Sequence, residues 1–276
     1  MNEQNQALNH TGPTGPAPEK AAPRVLIVTA VDAEKEAVLR GLGDHPAGMF
    51  DVIAGGVGPS AVAASTAATL ALAAAAGVQA LAQGATAPAG PDAAQSSAAS
   101  PGPLAGTGLT PAYSLVVSAG IGGGFPGRAD VGSLVVADAM VAADLGSQTP
   151  DGFLSVDELG FGSSRVAADA ELAARLRYEL QRAGHAVSGG TAVTVSTATG
   201  TAETAAELLR RVPDATAEGM EGFGVATASK QFGVPALELR AISNAVGPRD
   251  RDAWRIKDAL DALQAASSIL REVLTS

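Results

Sequence analysis

The sequence predicts an α/β protein built on a mostly parallel sheet with helices on both faces. Three observations carry that reading. Short runs dense in Val, Ile and Leu read as strands buried on both sides. Segments with apolar residues at helical spacing alternate with those strands. Hydrophobic residues make up 46% of the 276 residues, enough for a large core, but aromatic residues only 3%, so Ala, Val and Leu must fill that core.

Residues 1–22 are polar and rich in Pro and Gly, and read as a disordered tail with no apolar signal segment. Arg24 to Thr29 (RVLIVT) is the first strand, and Asp32 to Leu42 has helical spacing. Phe50 to Ala54 is a strand ending in GGVGPS, followed by a helix from Ser60 to Ala75. Residues 77–110 are low in complexity and read as a surface insertion in one domain, 23–276. A linker between two domains is the alternative, opposed by the incompleteness of either side alone. Tyr113 to Ala119 is a buried strand running into a glycine-rich loop, GIGGGFPG. Gly132 to Val141 reads as one strand, Ala167 to Ala183 as a helix, Ala192 to Ser196 as a strand and Ala202 to Val212 as a short helix. Met220 to Phe232 is a helix with Gly233 as its cap, Pro235 to Ile242 a strand, and Asp252 to Leu274 the closing helix.

Composition excludes several functions. Cysteine is absent, so disulfides, thiolate zinc sites and cysteine nucleophiles are ruled out. His10, His45 and His185 are scattered and form no ligand cluster, and no metal or organic cofactor is expected. The net charge of −10 offers no general attraction to nucleic acid or anionic lipid. The Ala-rich run from Ala61 to Gly77 comes nearest to a membrane span, but Ala is a weak membrane residue and Ser65, Thr66 and Thr69 interrupt it. The expected location is the cytoplasm.

Four segments at strand ends carry chemistry, where ligands gather in open α/β sheets. In TAVDAEKEA (Thr29 to Ala37) a carboxylate can act as a general base, or Asp32, Glu34 and Glu36 can simply decorate a helix N-terminus. In SAGIGGGFPG (Ser118 to Gly127) glycines can bring backbone amides against a ligand, or form a tight turn. It is not a Walker A loop, and Pro126 weakens a dinucleotide reading of Gly122, Gly124 and Gly127. EGMEGFG (Glu218 to Gly224) opens a helix with a carboxylate that can grip vicinal hydroxyls or serve the helix terminus. In LRAISNAVGPRDRDAW (Leu239 to Trp254), Asn244 offers donors and an acceptor suited to a purine edge, or an Asx-turn.

Taken in this order, the four segments resemble the nucleoside phosphorylase and nucleosidase superfamily. The pairing of GMEGFGVA with RAISN, about twenty residues on, is the specific part of the match. The resemblance implies a single domain with a central mixed sheet, and a homo-oligomer. It implies that Glu221 binds the ribose hydroxyls, Met220 packs on the sugar, Asn244 addresses the purine and Glu34 activates water. It also sets Ala119, Gly120, Ile121, Gly122, Ala198 and Thr199 against the substrate. SNAVGPRDRDAW, with ADLG (Ala143 to Gly146) and TPDGF (Thr149 to Phe153), is similar to the futalosine hydrolase family. That likeness implies release of hypoxanthine from futalosine in menaquinone biosynthesis, a 6-oxopurine nucleoside with a carboxyphenyl-ketone extension at its 5′ carbon. Phe153, Arg249 and Arg251 are candidates for that extension. The alternative for the two arginines is a solvated loop tied down by Trp254.

Two choices can be argued from the residues. A carboxylate at Glu34 facing a phosphate dianion about 4 Å away costs roughly 4 kcal/mol at an effective dielectric of 20, which favours water as nucleophile. Arg128, near the glycine run, is the counter-argument and is read as a surface residue. The Asn244 amide can donate to O6 and N7 of a 6-oxopurine, whereas an acid at that place would suit a 6-aminopurine. Methylthioadenosine or adenosylhomocysteine nucleosidase and purine nucleoside phosphorylase are the neighbouring alternatives.

Overall fold

The computed structural model describes residues 24–82 and 111–276. The expected tail and residues 83–110 of the expected insertion lie outside the described residues. The chain runs β1 (Val25–Thr29), α1 (Asp32–Leu42), β2 (Phe50–Ala54), α2 (Pro59–Ala82), β3 (Leu115–Gly124), β4 (Leu134–Val136), β5 (Ala139–Ala142), β6 (Gly146–Thr149), β7 (Gly152–Ser155), β8 (Arg165–Ala167), α3 (Ala170–Arg182), β9 (Val187–Ser188), β10 (Thr191–Thr194), α4 (Ala202–Arg211), β11 (Ala215–Gly219), α5 (Gly222–Gln231), β12 (Ala236–Ala245) and α6 (Ile256–Thr275).

Among the described residues ten strands form one sheet with a main path β8-β5-β10-β11-β3-β12-β4-β9, and β1 joins β2 to β3. Among the described residues the sheet is mixed but mostly parallel; β11 on β3, β12 on β4 and β5 on β8 are the antiparallel pairings. Alternate residues of β1 face opposite ways. Val25 and Ile27 join a core with α1, α3 and α6, including Val38, Leu176, Leu263 and Leu270. Leu26 and Val28 join a second core with α2 and α5, including Val62, Leu70 and Val225. Burial on both faces explains why these strands read as continuous apolar runs.

Strand β3 organises the rest. Residues 116–124 pair with β12 along one edge. The other edge pairs with β1 up to Ser118 and with β11 from Gly123. Between those two partners the edge of β3 is open, and this notch lies at the carboxyl end of β1.

Several expectations need correction. The glycine run is strand as far as Gly124 rather than a loop. Its glycines make room within the sheet: a Cβ on Gly122 would lie 2.6 Å from the Glu218 carbonyl oxygen, and one on Gly124 2.1 Å from that of Ala129. The single strand expected over Gly132 to Val141 is two, β4 and β5, pairing with different neighbours. Ala215–Gly219, to which the sequence reading assigns no strand, is β11, hidden because Thr216 and Glu218 interrupt its apolar pattern. The hairpin of β6 and β7 and the short strands β8 and β9 have too few residues to show a period.

Helix α2 runs on to Ala82, into the expected insertion. By length and mean hydropathy (1.5), Pro59–Gly77 is apolar enough to cross a bilayer, contrary to the sequence reading. In the fold Val62, Thr66, Leu70 and Ala74 form one buried stripe, and the helix packs against α5.

Helices α1 and α6 meet at Gly41, where a Cβ would stand 2.0 Å from the Gln264 carbonyl oxygen. Gly41→Ala must therefore push the helices apart. The expected cost is about 1–3 kcal/mol, a Tm lower by roughly 2–12 °C, checked by thermal unfolding.

Candidate active site

Of the three acids in the first turns of α1, only Glu34 is turned inward; Asp32 and Glu36 are exposed. Glu34 sits at the third helical position, and its Oε2 accepts from the amides of Ala30 (2.9 Å) and Val31 (3.3 Å). Its Oε1 accepts from the Ile121 amide at 2.9 Å, across the notch in β3. One oxygen thus serves the helix terminus and the other spans to the sheet.

Glu221 caps the start of α5 and is buried. Its Oε1 accepts from the Gly58 amide (3.1 Å) and its Oε2 from that of Met220 (3.2 Å). Gly58 holds φ at +91°, a conformation side chains disfavour, just before Pro59 opens α2. The turn thus aims an amide at an acid 163 residues away.

Both acids act on the charge of Arg240, a residue outside the sequence-derived site, and Glu221 pairs with it directly. Arg240 is 1% exposed. Its Nη1 is 3.5 Å from Glu221 Oε2. Its Nη2 donates to Ser118 Oγ at 2.9 Å and its Nε to Glu238 Oε1 at 2.7 Å. Arg240 pairs with Gly120 across the β3–β12 register. A Cβ on Gly120 would stand 2.6 Å from both Arg240 Nη1 and Glu34 Oε1, so only glycine lets these groups approach one another. Burial works against the guanidinium charge, but Glu238, Glu221 and Glu34 outweigh it and raise its pKa. A signal for Arg240 and Glu238 was present in the sequence. Two charges of opposite sign at i and i+2 share one face of a strand that is otherwise apolar.

Asn244 lies further along β12. A bulge between Ile242 and Asn244 shifts the register, so that Asn244 pairs with Gly123. A Cβ on Gly123 would be 3.3 Å from Asn244 Nδ2. Gly123 alternates with Gly120 and Gly122, so Asn244 lies on the other side of β3 from Arg240, at the end of the strand. Ser243 Oγ donates to its Oδ1 at 2.8 Å, and its Nδ2 donates to the Ala245 carbonyl at 3.0 Å. Glu34 and Glu221 therefore form one ion cluster, with Asn244 beyond it.

Thr199 donates to Glu218 through its amide (2.9 Å) and its hydroxyl. That bond draws the loop bearing Ala198, which is exposed, toward the end of β11. The Arg249 amide donates to the Gly200 carbonyl at 3.2 Å, joining the two loops. The Arg249 and Arg251 side chains lie over Trp254, at 5.2 and 6.0 Å from its ring centroid. Arg211 lies 4.0 Å above the Phe153 ring. Phe153, Arg249 and Arg251 are not part of the ion cluster. Arg128 is exposed and donates to the Ala215 carbonyl at 2.9 Å. A surface groove between α3 and α6, lined by Arg175, Glu179, Ile269 and Glu272, shares no residue with the site.

Burial raises the Glu218 pKa above its ordinary 4.5, against the lowering effect of the Thr199 bonds. A raised folded value means that the stability this group contributes is full below 4.5 and is lost as pH climbs through the folded titration. Glu218→Gln should remove that part of the slope. Urea unfolding from about pH 4 to about pH 8 checks it, and an unchanged slope would contradict the burial effect.

Residues 109–276 match the model of the Phosphorylase superfamily. The chain is 46% identical over 266 residues to the futalosine hydrolase of Streptomyces coelicolor, covering 91% of this chain and 97% of that one. It is 48% identical over 158 residues to the futalosine hydrolase of Acidothermus cellulolyticus, covering 57% and 64%. Among solved structures, the methylthioadenosine/adenosylhomocysteine nucleosidase of Neisseria meningitidis aligns with a TM-score of 0.63 at 17% identity, covering 92% and 99%. The native futalosine hydrolase of Helicobacter pylori aligns at 0.62 and 16%, covering 92% and 97%. The latter two likenesses bear on the fold, and the first bears on the family. The chain belongs to the phosphorylase superfamily and, within it, to the futalosine hydrolases.

Proposed function

We propose that this protein hydrolyses the N-glycosidic bond of futalosine, releasing hypoxanthine. The observation that carries the reading is the buried cluster of Glu34, Arg240 and Glu221 at the notch in β3. The long match to the Streptomyces relative supports the choice of substrate.

In this reading water, not phosphate, attacks the sugar. Glu34 and Glu221 would both confront a phosphate dianion, and the one nearby guanidinium already faces three carboxylates. Arg128, the cation that would have argued for phosphate, is engaged with backbone carbonyls at the surface. As the C1′–N9 bond lengthens, positive charge builds on the ribosyl group. Glu221, held by Gly58 and Met220, grips the vicinal hydroxyls and stabilises that charge. Glu34 takes a proton from the attacking water, oriented with the help of Arg240 Nη1. The base leaves as an anion, hydrogen-bonded at N7 and O6 by Asn244 Nδ2 at the end of β12, and takes its proton from solvent. Met220, Ala119 to Gly122, Ala198 and Thr199 line the approach. The Arg249 amide bonds Gly200, next to Thr199, and so joins the arginine-bearing loop to that approach, which supports a role for Arg249 and Arg251 with the distal carboxylate. Phe153 has one face covered by Arg211, so only its other face or edge is left for an aryl ring.

We also assign the protein to the cytoplasm, as a homo-oligomer. Apolar side chains exposed along and near α2, Leu72 and Val57, support the association.

Incubation with futalosine, inosine and methylthioadenosine, with and without phosphate, tests the assignment. Free hypoxanthine from futalosine, without need of phosphate, is the expected product. Glu34→Gln should lower kcat by about 10²–10⁴, and a loss under about tenfold would remove Glu34 from the role of base. Asn244→Asp should weaken the preference for 6-oxo over 6-amino purines. An unchanged ratio of kcat/KM values would show that another group selects the base.

A further inference from the structure

Glu238 has no part in the reading above, yet it is among the most enclosed charged groups of the described residues, at 1% exposure. It lies on the same face of β12 as Arg240, and its Oε1 accepts from Arg240 Nε at 2.7 Å. Among the described residues its Oε2 has no hydrogen-bond partner. That oxygen abuts the first residue of α5: a Cβ on Gly222 would stand 2.0 Å from Oε2 and 2.4 Å from Oε1. Burial pushes the Glu238 carboxyl up, and the Arg240 charge pulls it down.

This arrangement is poor as a stabilising device. Three carboxylates share one guanidinium, and one buried oxygen is left unsatisfied. Its effect on orientation is more definite. The guanidinium is planar, with donors in a rigid fork. Glu238 fixes its Nε edge and Ser118 fixes Nη2. Nη1 is then directed to Glu221 Oε2 and to the Ile121 carbonyl, both at 3.5 Å, beside the Gly120 backbone that Glu34 Oε1 also approaches.

We propose that Glu238 is a positioning residue for hydrolysis: it locks the plane of Arg240 so that Nη1 is delivered to Glu221 on the side that Glu34 approaches, and Gly222 is the vacancy that admits it. The proposal rests on the hydrolase reading for its consequence, though not for its geometry. Glu238 acts through Arg240 and does not itself touch substrate.

The test compares the full-length wild type with Glu238→Ala, Glu238→Gln, Gly222→Ala and the Glu238→Ala/Gly222→Ala double variant, by kcat and KM for hypoxanthine release. Glu238→Ala should lose about 100-fold in kcat with KM changed by less than about threefold, as expected of a small misplacement at a reacting centre. Glu238→Gln keeps an acceptor for Nε and should return to within about tenfold of wild type. Gly222→Ala should lower kcat because its methyl group displaces the carboxylate. The double variant should be no worse than Glu238→Ala, since the clash is gone. The proposal is overturned if Glu238→Ala keeps kcat within about threefold of wild type, or if the two single losses multiply. Should Glu238→Ala not fold, the outcome rests on Gly222→Ala and Glu238→Gln, and a Gly222→Ala kcat near wild type refutes it. If the wild type releases no base, the substrate assignment fails instead. Coupling between residues 238 and 222 in urea unfolding then decides the geometry by itself, and additive effects there would refute it.

Discussion

The site depends on one buried guanidinium. Arg240 is enclosed by the sheet and by α5, and three acids, two of them from distant parts of the chain, act on it. Glu34 comes from the first helix, Glu221 from the start of α5, and Glu238 from the strand that carries Arg240. A buried charge of this kind persists only when paired and hydrogen-bonded. The cost of enclosing it is offset by the acids, and the acids are in turn held close by it. Glycine at positions 120, 219 and 222 leaves the space in which this packing is possible: a Cβ on Gly219 would lie 3.2 Å from Arg240 Nε.

The sheet explains why the cluster lies where it does. An interior strand normally has both edges paired along its length. β3 has one continuous partner, β12, and two successive partners on its other edge. The change of partner leaves a short stretch of backbone open at the carboxyl end of β1. The Ile121 amide in that stretch is satisfied by a side chain, Glu34, rather than by a strand. A partner switch within a sheet thus leaves a short open edge, and an acid from the helix following β1 bonds to it. This is the same physical logic by which open α/β sheets bind ligands where their strand order changes.

Hydrolysis fits the balance of charge around the cleft. Acids outnumber the single nearby guanidinium, so an incoming dianion would be repelled, whereas a neutral water would be oriented and a cationic sugar stabilised. The glycine-rich segment has the composition of a phosphate cradle but the conformation of a strand, and its glycines are matched to side chains and carbonyls already present. Composition by itself could not distinguish these two uses of glycine.

Much of this was legible in the sequence. Val, Ile and Leu runs marked β1, β2, β3 and β12 because buried parallel strands leave a strong local signature. Helical spacing marked α1 and α3 to α6 for the same reason. Glu34, Glu221 and Asn244 stood out as polar residues at strand or helix ends. Other features were decided only by the tertiary structure. Whether Glu34 or its neighbours Asp32 and Glu36 turn inward depends on the Ile121 amide, 87 residues away. Short strands such as β8, β9 and β11 are defined by their partners, not by any period of their own. Arg240 and Glu238 read as two charges in a strand until β3 and α5 enclose them. The sequence determined which residues are able to do the chemistry; long-range packing decided which of them meet, because pairing between elements remote in the chain has no local pattern from which it can be read.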